Sequence, residues 1–384
     1  MTRLFLTSMD QNQYLVALFI IIALWSSQAM SRTLLQDEVS LSERHEQWMS
    51  KHGKVYKDAA EKEKRYQIFK DNLAYIESFN MAGNKSYKLK INHLADQTNE
   101  EFKASSTGLN RLYGQMKNTG ITFKYENVTD IPATMDWRKR GAVTRVKNQR
   151  HCGSCWAFST VAAIESMFKI AGGKLVSLSE QQLVDCNTNG VSNGCSGGNM
   201  EDGFEFIIAK GGIASQENYP YKGVDGTCDK KASHIVEIPV HSYGRVPSNS
   251  EKALLKAVAN QPVSVSIAVG RNFQFYSSGI FSGECGTRNN HEVTIVGFGI
   301  NKDGTKYWLA KNSWGKRWGE KGYIRMQRDI DAEEGLCGIA TDASFPNIYQ
   351  EYIPNKGGLP FIASTTNWFM EIVTESFFNS PKSI

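Results

Sequence analysis

Cys155 stands at the first position of an Ala-rich apolar stretch, and this is where the sequence is best equipped for covalent chemistry. It belongs to the run Asn148-Gln149-Arg150-His151-Cys152-Gly153-Ser154-Cys155-Trp156-Ala157-Phe158. From Cys155 to Ile170 the Ala, Phe, Ile and Met content, closed by Gly172-Gly173, predicts a helix. The first N–H groups of a helix are unpaired and its dipole favours negative charge, so a thiol there ionises more readily. The thiolate is the nucleophilic form. Gln149, upstream, has a side-chain amide able to point at an oxyanion formed at Cys155.

A thiolate that cleaves an amide also needs an acid for the departing amine, and histidine suits that role near neutral pH. Downstream of the linker stand His151, His234, His241 and His291. His151 is held one residue from Cys152 and is expected to point away; His234 and His241 sit in polar stretches and read as surface residues. His291 follows Asn289-Asn290 and precedes the apolar strand-like run Val293-Thr294-Ile295-Val296-Gly297, a rigid mount for a base. Asn312, in Lys311-Asn312-Ser313-Trp314-Gly315, can orient the imidazole while the Trp314 ring shields that bond. Other readings of the same residues stay open. Cys152-Gly153-Ser154-Cys155 is also a C-x-x-C at a helix start, as in thiol–disulfide exchange. The Lys311–Gly315 segment taken alone reads rather as a turn with a core tryptophan, and a zinc site lacks a second close cysteine pair.

The elements around these residues follow from the rest of the chain. At 384 residues it exceeds one average domain, and 41% hydrophobic with 22% charged residues excludes a largely disordered chain. A net charge of +5 without a dense Lys/Arg block argues against nucleic-acid binding. The opening holds Arg3, an apolar run Tyr14 to Trp25 and Ser27-Gln28-Ala29, which reads as a cleaved signal peptide over 1–29. That run is shorter than the ~20 residues a spanning helix needs, so no stable membrane insertion is expected. Entry into the secretory pathway points to a vacuole or lysosome, or the extracellular space. It also makes the sequons at Asn84 and Asn127 candidate glycosylation sites. In that oxidising route seven cysteines leave one unpaired, and the sequence alone permits many pairings.

From Leu41 to about Asn80 the chain is charged and helical in pattern; Glu61, Arg65, Phe69, Asn72, Ile76 and Asn80 share one face. Residues 105–131 read as a linker and processing region. Further helices are expected over Ser179–Cys186, Met200–Ala209 and Glu251–Ala259. Strands are expected over Val263–Val269, Val293–Phe298, Tyr307–Lys311 and Gly322–Gln327. A helical half followed by a strand half is an α+β architecture with a cleft between two lobes. Residues 349–384 form a tail without an assigned role.

The string Gln149 to Phe158 resembles the nucleophile segment of the papain-like cysteine proteases, whose pattern is C-G-[SA]-C-[WY] with His and Asn ~130 to 150 residues downstream. His291 meets that spacing and Asn312 slightly exceeds it. Gly194-Cys195-Ser196-Gly197-Gly198, Asn290-His291 and Lys311-Asn312-Ser313-Trp314-Gly315 with Trp318-Gly319 agree as well, and the likeness runs from about Arg44 to Pro346. The resemblance is to plant-type, cathepsin L-like precursors. It implies a papain-like two-lobed fold, with a helical left lobe, a β-barrel-like right lobe and the active site in the cleft between them. It also implies a helical, inhibitory propeptide over 30–130, removed at acidic pH, and a peptidase domain over 131–348.

What the resemblance implies for the residues is specific. Cys155 attacks, His291 moves the proton, Asn312 orients it, and Gln149 with the Cys155 N–H holds the oxyanion. Cys152 pairs with Cys195, Cys186 with Cys228 and Cys285 with Cys337, leaving Cys155 free. Gly197, Gly198 and Asn290 border the substrate backbone, and Trp314 and Trp318 the leaving-group side. Asn199, Met200, Ser266 and Asp342 line the second acyl-side subsite. Substrates are polypeptides, the propeptide is an intramolecular inhibitor, cystatin-type inhibitors are partners, the protein is a monomer, and no cofactor or metal is needed.

Six positions depart from the family pattern. Arg150 and His151 add positive charge on the leaving-group side, and Glu292 follows His291 where a small residue is usual. Asp342, at the end of the second acyl-side subsite, either pairs with a basic substrate side chain or points to solvent. The companion prosegment motif keeps Asn92 and Asp96 but has Lys90 and Leu94 where Gly and Phe are usual.

Overall fold

The computed structural model describes residues 19–20, 22, 39–108, 123–187, 192–229, 235–285 and 288–349. Most of the expected signal peptide, His234 and the tail from residue 350 lie outside the described residues. Among these, no helix is long and apolar enough to cross a membrane.

The N-terminal part holds two helices where the charge pattern predicted one continuous stretch. Helix α1 (residues 39–52) ends at Gly53, whose φ of +63° suits a residue without Cβ. Asp58 then caps α2 (Ala59–Met81) by accepting from the Glu61 N–H at 2.8 Å. A short strand β1 (Tyr87–Leu89) and α3 (Asn99–Ser106) follow. Helix α3 begins in a capping box, Thr98 and Glu101 each accepting from the other's backbone N–H. The expected linker is therefore helical at its start.

The remainder has two lobes. After β2 (Met135–Asp136), the first lobe gathers α4 (Cys155–Ile170), α5 (Glu180–Cys186) and α6 (Met200–Lys210). A two-stranded sheet, β3 (Gly212–Ala214) with β4 (Ile235–Glu237), completes it. Its core is Trp156, Val161, Ile164, Leu183, Phe204 and Ile207 with their neighbours. Helix α4 is buried from Cys155 to Phe168, so apolar residues occur on all its sides, with Ser159, Thr160, Glu165 and Ser166 among them.

The second lobe contains β5 (Val240–Arg245), α7 (Glu251–Asn260), β6 (Val263–Ile267), α8 (Arg271–Gln274), β7 (Tyr276–Phe281), β8 (His291–Ile300), β9 (Lys306–Lys311), β10 (Tyr323–Gln327) and β11 (Ala343–Ile348). Its sheet runs β1-β7-β10-β9-β8-β6-β11-β5, with β2 on β8. The N-terminal part thus supplies an edge strand, Tyr87 opposite Gly279. Its Trp48, Phe69, Leu73, Ile76 and Phe102 share one core with Phe273, Phe281, Trp314 and Trp318.

Candidate active site

Cys155 and His291 come from opposite lobes, one opening α4 and the other opening β8. Both are completely buried in this precursor. The disulfides are Cys152–Cys195, Cys186–Cys228 and Cys285–Cys337, and Cys155 is the free cysteine. With Cys152 bonded to Cys195, the C-x-x-C exchange reading is overturned: Cys155 has no disulfide partner within reach of that motif. Among the described residues no cluster of three metal-ligating side chains occurs.

The His291 Nε2–H donates to Asn312 Oδ1 at 2.9 Å, which fixes the tautomer and leaves the Nδ1 lone pair as the acceptor. Nδ1 is buried and has no hydrogen-bond partner among the described residues. Trp314 stacks on the imidazole, ring centroids 4.6 Å apart. Asn312 also accepts from the Ser313 N–H at 2.8 Å, which fixes its amide.

The Gln149 amide donates at 3.2 Å to the carbonyl of Ser106, and the Trp314 Nε1–H donates to the same oxygen at 3.0 Å. It donates to Cys152 O as well, at 2.9 Å. Ser313 Oγ holds the other end of the amide through Gln149 Oε1. Two residues on, the Gly108 N–H donates to Asn290 O at 3.2 Å, and its carbonyl accepts from Gly198 N–H at 2.9 Å. Backbone of residues 106–108 therefore crosses the cleft directly over Cys155. The fit needs glycine: a Cβ on Gly108 would lie 1.8 Å from Gly153 O.

That cover reverses the expected ionisation of Cys155. Burial, with the charge of Glu292 adding to it, pushes the thiol up to about 12; the backbone N–H groups of Glu292, Trp156 and Gly108 oppose this and lose. Burial likewise pushes His291 down to about 4, against the bond to Asn312. Between these values both groups are neutral, so the helix dipole does not deliver a thiolate while water is excluded.

The remaining expected residues fall around this centre. Asn199 caps α6, accepting from Glu201 N–H at 2.8 Å, and Met200 is fully buried. Asn290 is held by Val269 through both amide atoms. Ser266 donates to Asp342 Oδ2 at 2.9 Å, and Asp342 is only 7% exposed, turned inward rather than to solvent. Trp318 is buried against Phe273 and edge-on to Trp314. His151 lies against the N-terminal segment, its Nδ1 3.3 Å from Gln97 Nε2. Arg150, at φ +57°, donates to Lys222 O at 3.0 Å. His241 stacks on Tyr349, away from the cleft.

Sequence reasoning missed a buried charge array behind the site. Lys147 bridges Glu165 at 2.9 Å and Glu180 at 2.6 Å, while Lys311 donates to Thr144 Oγ1 at 2.8 Å and Thr144 in turn donates to Glu165. Burial opposes the Glu165 charge, but Lys147 and Lys311 outweigh it and hold the carboxyl low. The array ties Lys147, two residues before Gln149, to Lys311, one before Asn312. A signal was present: Glu165 is a lone charge inside the apolar run Val161–Phe168.

A free thiol and an imidazole bonded to Asn312 on facing lobes, covered by the chain's own N-terminal segment, are the arrangement of a cysteine peptidase precursor. Residues 131–347 match the papain family cysteine protease and residues 45–102 the cathepsin propeptide inhibitor domain, and the chain belongs to the papain family. It is 49% identical over 341 residues to senescence-specific cysteine protease SAG12 of Arabidopsis thaliana, covering 86% of this chain and 98% of that one. Vignain of Ricinus communis is 50% identical over 336 residues, covering 86% and 92%. Among solved structures, the proform of the ragweed pollen allergen Amb a 11 cysteine protease superposes with a TM-score of 0.75. It is 43% identical, covering 81% of this chain and 96% of that one. The stem bromelain precursor gives a TM-score of 0.73 at 45% identity, covering 80% and 99%. The chain is a papain-family cysteine endopeptidase with an inhibitory propeptide.

Proposed function

We propose that Cys155 is the nucleophile and His291 the proton carrier of this endopeptidase. The bond from His291 Nε2–H to Asn312 carries the assignment, because it leaves the opposite ring nitrogen facing no other partner. Once the propeptide leaves, water returns, burial no longer opposes charge, and the proton passes from thiol to imidazole. The thiolate attacks the scissile carbonyl carbon. The developing oxyanion takes the Gln149 Nε2–H and the Cys155 N–H, a hole worth on the order of 3 kcal/mol per donor. His291 gives its proton to the leaving nitrogen, the C–N bond breaks and a thioester remains. Water, deprotonated by His291, then attacks the thioester, releasing the acid and restoring the thiol.

Ser106 to Gly108 occupy the same donors in the opposite sense. The prosegment runs from the Gln149 and Trp314 side toward Gly198 and Asn290, whereas a substrate runs from the acyl side toward the leaving group. This accounts for a segment that inhibits without being cut. The signal over 1–29 and the sequons support passage through the secretory pathway to a vacuole, lysosome or the outside. Asn84 and Asn127 are both exposed, in keeping with glycosylation. The mature 131–348 domain acts as a monomer, open to cystatin-type inhibitors once its cleft is bare.

The test is kinetic. Acid-matured protein should cleave a fluorogenic dipeptide amide and take up one equivalent of a thiol-alkylating epoxide. Cys155→Ala should do neither, and Asn312→Ala should lose rate while still alkylating. Full turnover by Cys155→Ala would overturn the assignment.

A further inference from the structure

The two donors proposed for the oxyanion are held from opposite lobes. The Gln149 side chain is fixed from the second lobe: its amide oxygen accepts from Ser313 Oγ, and the Gln149 backbone N–H donates to Ser313 O at 2.8 Å. The Cys155 N–H belongs to the first lobe, at the start of α4. Between the two runs the loop from Arg150 to Ser154, entered through a left-handed residue, Arg150 at φ +57°, and tied to Cys195 at Cys152. An oxyanion must meet both donors at once, so the spacing that this loop imposes matters to the rate.

Tyr221 touches both ends of the loop. Its O–H donates to Gln149 O at 2.8 Å, and its oxygen lies 2.7 Å from Ser154 Oγ. A phenol has one proton to give, so the second bond runs from the Ser154 O–H to the Tyr221 oxygen. Burial pushes the phenol up, against the Ser154 bond, and keeps it a neutral donor. Ser154 stands at the N-cap of α4, where a serine hydroxyl usually accepts from the first turn, yet it makes no capping bond. Its hydroxyl is turned to Tyr221 instead. The tyrosine is itself held in place: its ring meets Phe158 of α4 edge-on at 4.9 Å. The N–H groups of Lys222 and Gly223 donate to Gln181 Oε1 of α5 at 2.8 and 3.3 Å. Arg150 closes the same clasp from the loop side, donating to Lys222 O at 3.0 Å, a side-chain bond that this departure from the family pattern adds.

Resting on the peptidase reading above, we propose that Tyr221 is a positioning residue for acyl transfer: its hydroxyl, bridging Gln149 O and Ser154 Oγ, sets the spacing of the two oxyanion donors. It acts through the loop it clasps.

The experiment uses acid-matured enzyme, its active sites counted with the epoxide. Tyr221→Phe removes the hydroxyl and keeps the ring against Phe158. Its kcat on the fluorogenic dipeptide amide should fall about tenfold with KM unmoved, the effect of one lost hydrogen bond. Affinity for the matching dipeptide aldehyde, whose hemithioacetal oxygen occupies the hole, should fall by the same factor. The pH profile of alkylation by iodoacetamide, which forms no oxyanion, should not move. Ser154→Ala should reproduce this pattern, and the double variant should lose no more than the larger single loss, because both break one chain of bonds. A folded Tyr221→Phe with unmoved kcat and aldehyde affinity overturns the proposal. So does a shifted alkylation profile, or a fall in kcat that the aldehyde does not share. If Tyr221→Phe does not fold, Ser154→Ala decides the matter on the same readouts. A wild type that neither turns over nor takes up epoxide overturns the peptidase reading itself.

Discussion

The prosegment holds the peptidase in two physically different ways, at a broad seat on the strand lobe and at a narrow crossing over the cleft. At the seat it buries Trp48, Phe69, Leu73, Ile76, Leu94 and Phe102 in the peptidase core and adds β1 to the sheet. At the crossing, Ser106 and Gly108 make backbone hydrogen bonds. A fully buried large apolar side chain contributes about 1.5–3 kcal/mol, and a hydrogen bond about 1 kcal/mol net. The seat therefore supplies most of the affinity. The crossing supplies direction and cover, which depend on glycine and on backbone geometry rather than on side-chain area.

The largest effect should come from breaking the seat. Phe102 is fully buried and meets Trp314 edge-on at 5.0 Å, so Phe102→Ala should cost about 3–5 kcal/mol. The expected result is a precursor that processes itself at neutral pH, followed by gel and by peptide turnover.

Acid loosens both regions through histidine. Burial, helped by Lys54, pushes His93 down to about 4, and burial does the same to His291. The unfolded chain then binds more protons than the precursor as pH falls. Stability from these groups is full above about 6.5, the unfolded value, and is lost as pH drops toward 4. Urea titrations should show a loss of about 2–3 kcal/mol per histidine over that range, with His93→Gln removing the contribution of the seat. An unchanged slope in His93→Gln would move the acid response to other groups.

Gly108→Ala strikes the crossing alone. Its Cβ would meet Gly153 O at 1.8 Å, and overpacking of this kind costs about 1–3 kcal/mol. The prosegment should stay seated while Cys155 alkylates faster in the intact precursor. The smallest effect is expected at Arg44→Ala, whose exposed pair with Glu77 at 3.0 Å contributes at most ~1 kcal/mol, leaving activation pH unaltered.

The same contrast separates what could be read in the sequence from what could not. Helix α4 was legible from Cys155 to Ile170 because an apolar run ends in two glycines, and His291 because a strand-like run follows it. The strand in fact begins at His291 itself, so the ring is mounted on the sheet. Less legible was β1, three residues long and without a period of its own, which exists because β7 offers an edge. The break near Gly53 was hidden within a uniformly charged pattern. Nothing local marks Lys147, Glu180 and Lys311 as a buried array, since pairing across 30 residues or more leaves no trace in the pattern. The covered state of Cys155 was hidden for a related reason: the helix terminus is local, while the backbone that crosses the cleft comes from residues 106–108.

The central claim is that Cys155 is neutral and covered in the precursor and becomes reactive when the crossing leaves. The direct measurement is the epoxide alkylation rate at Cys155, read by mass spectrometry, on precursor and acid-matured protein at the same near-neutral pH. The account predicts negligible alkylation of the precursor and rapid alkylation of the mature protein, with Gly108→Ala between them. Equal rates in precursor and mature protein would contradict it.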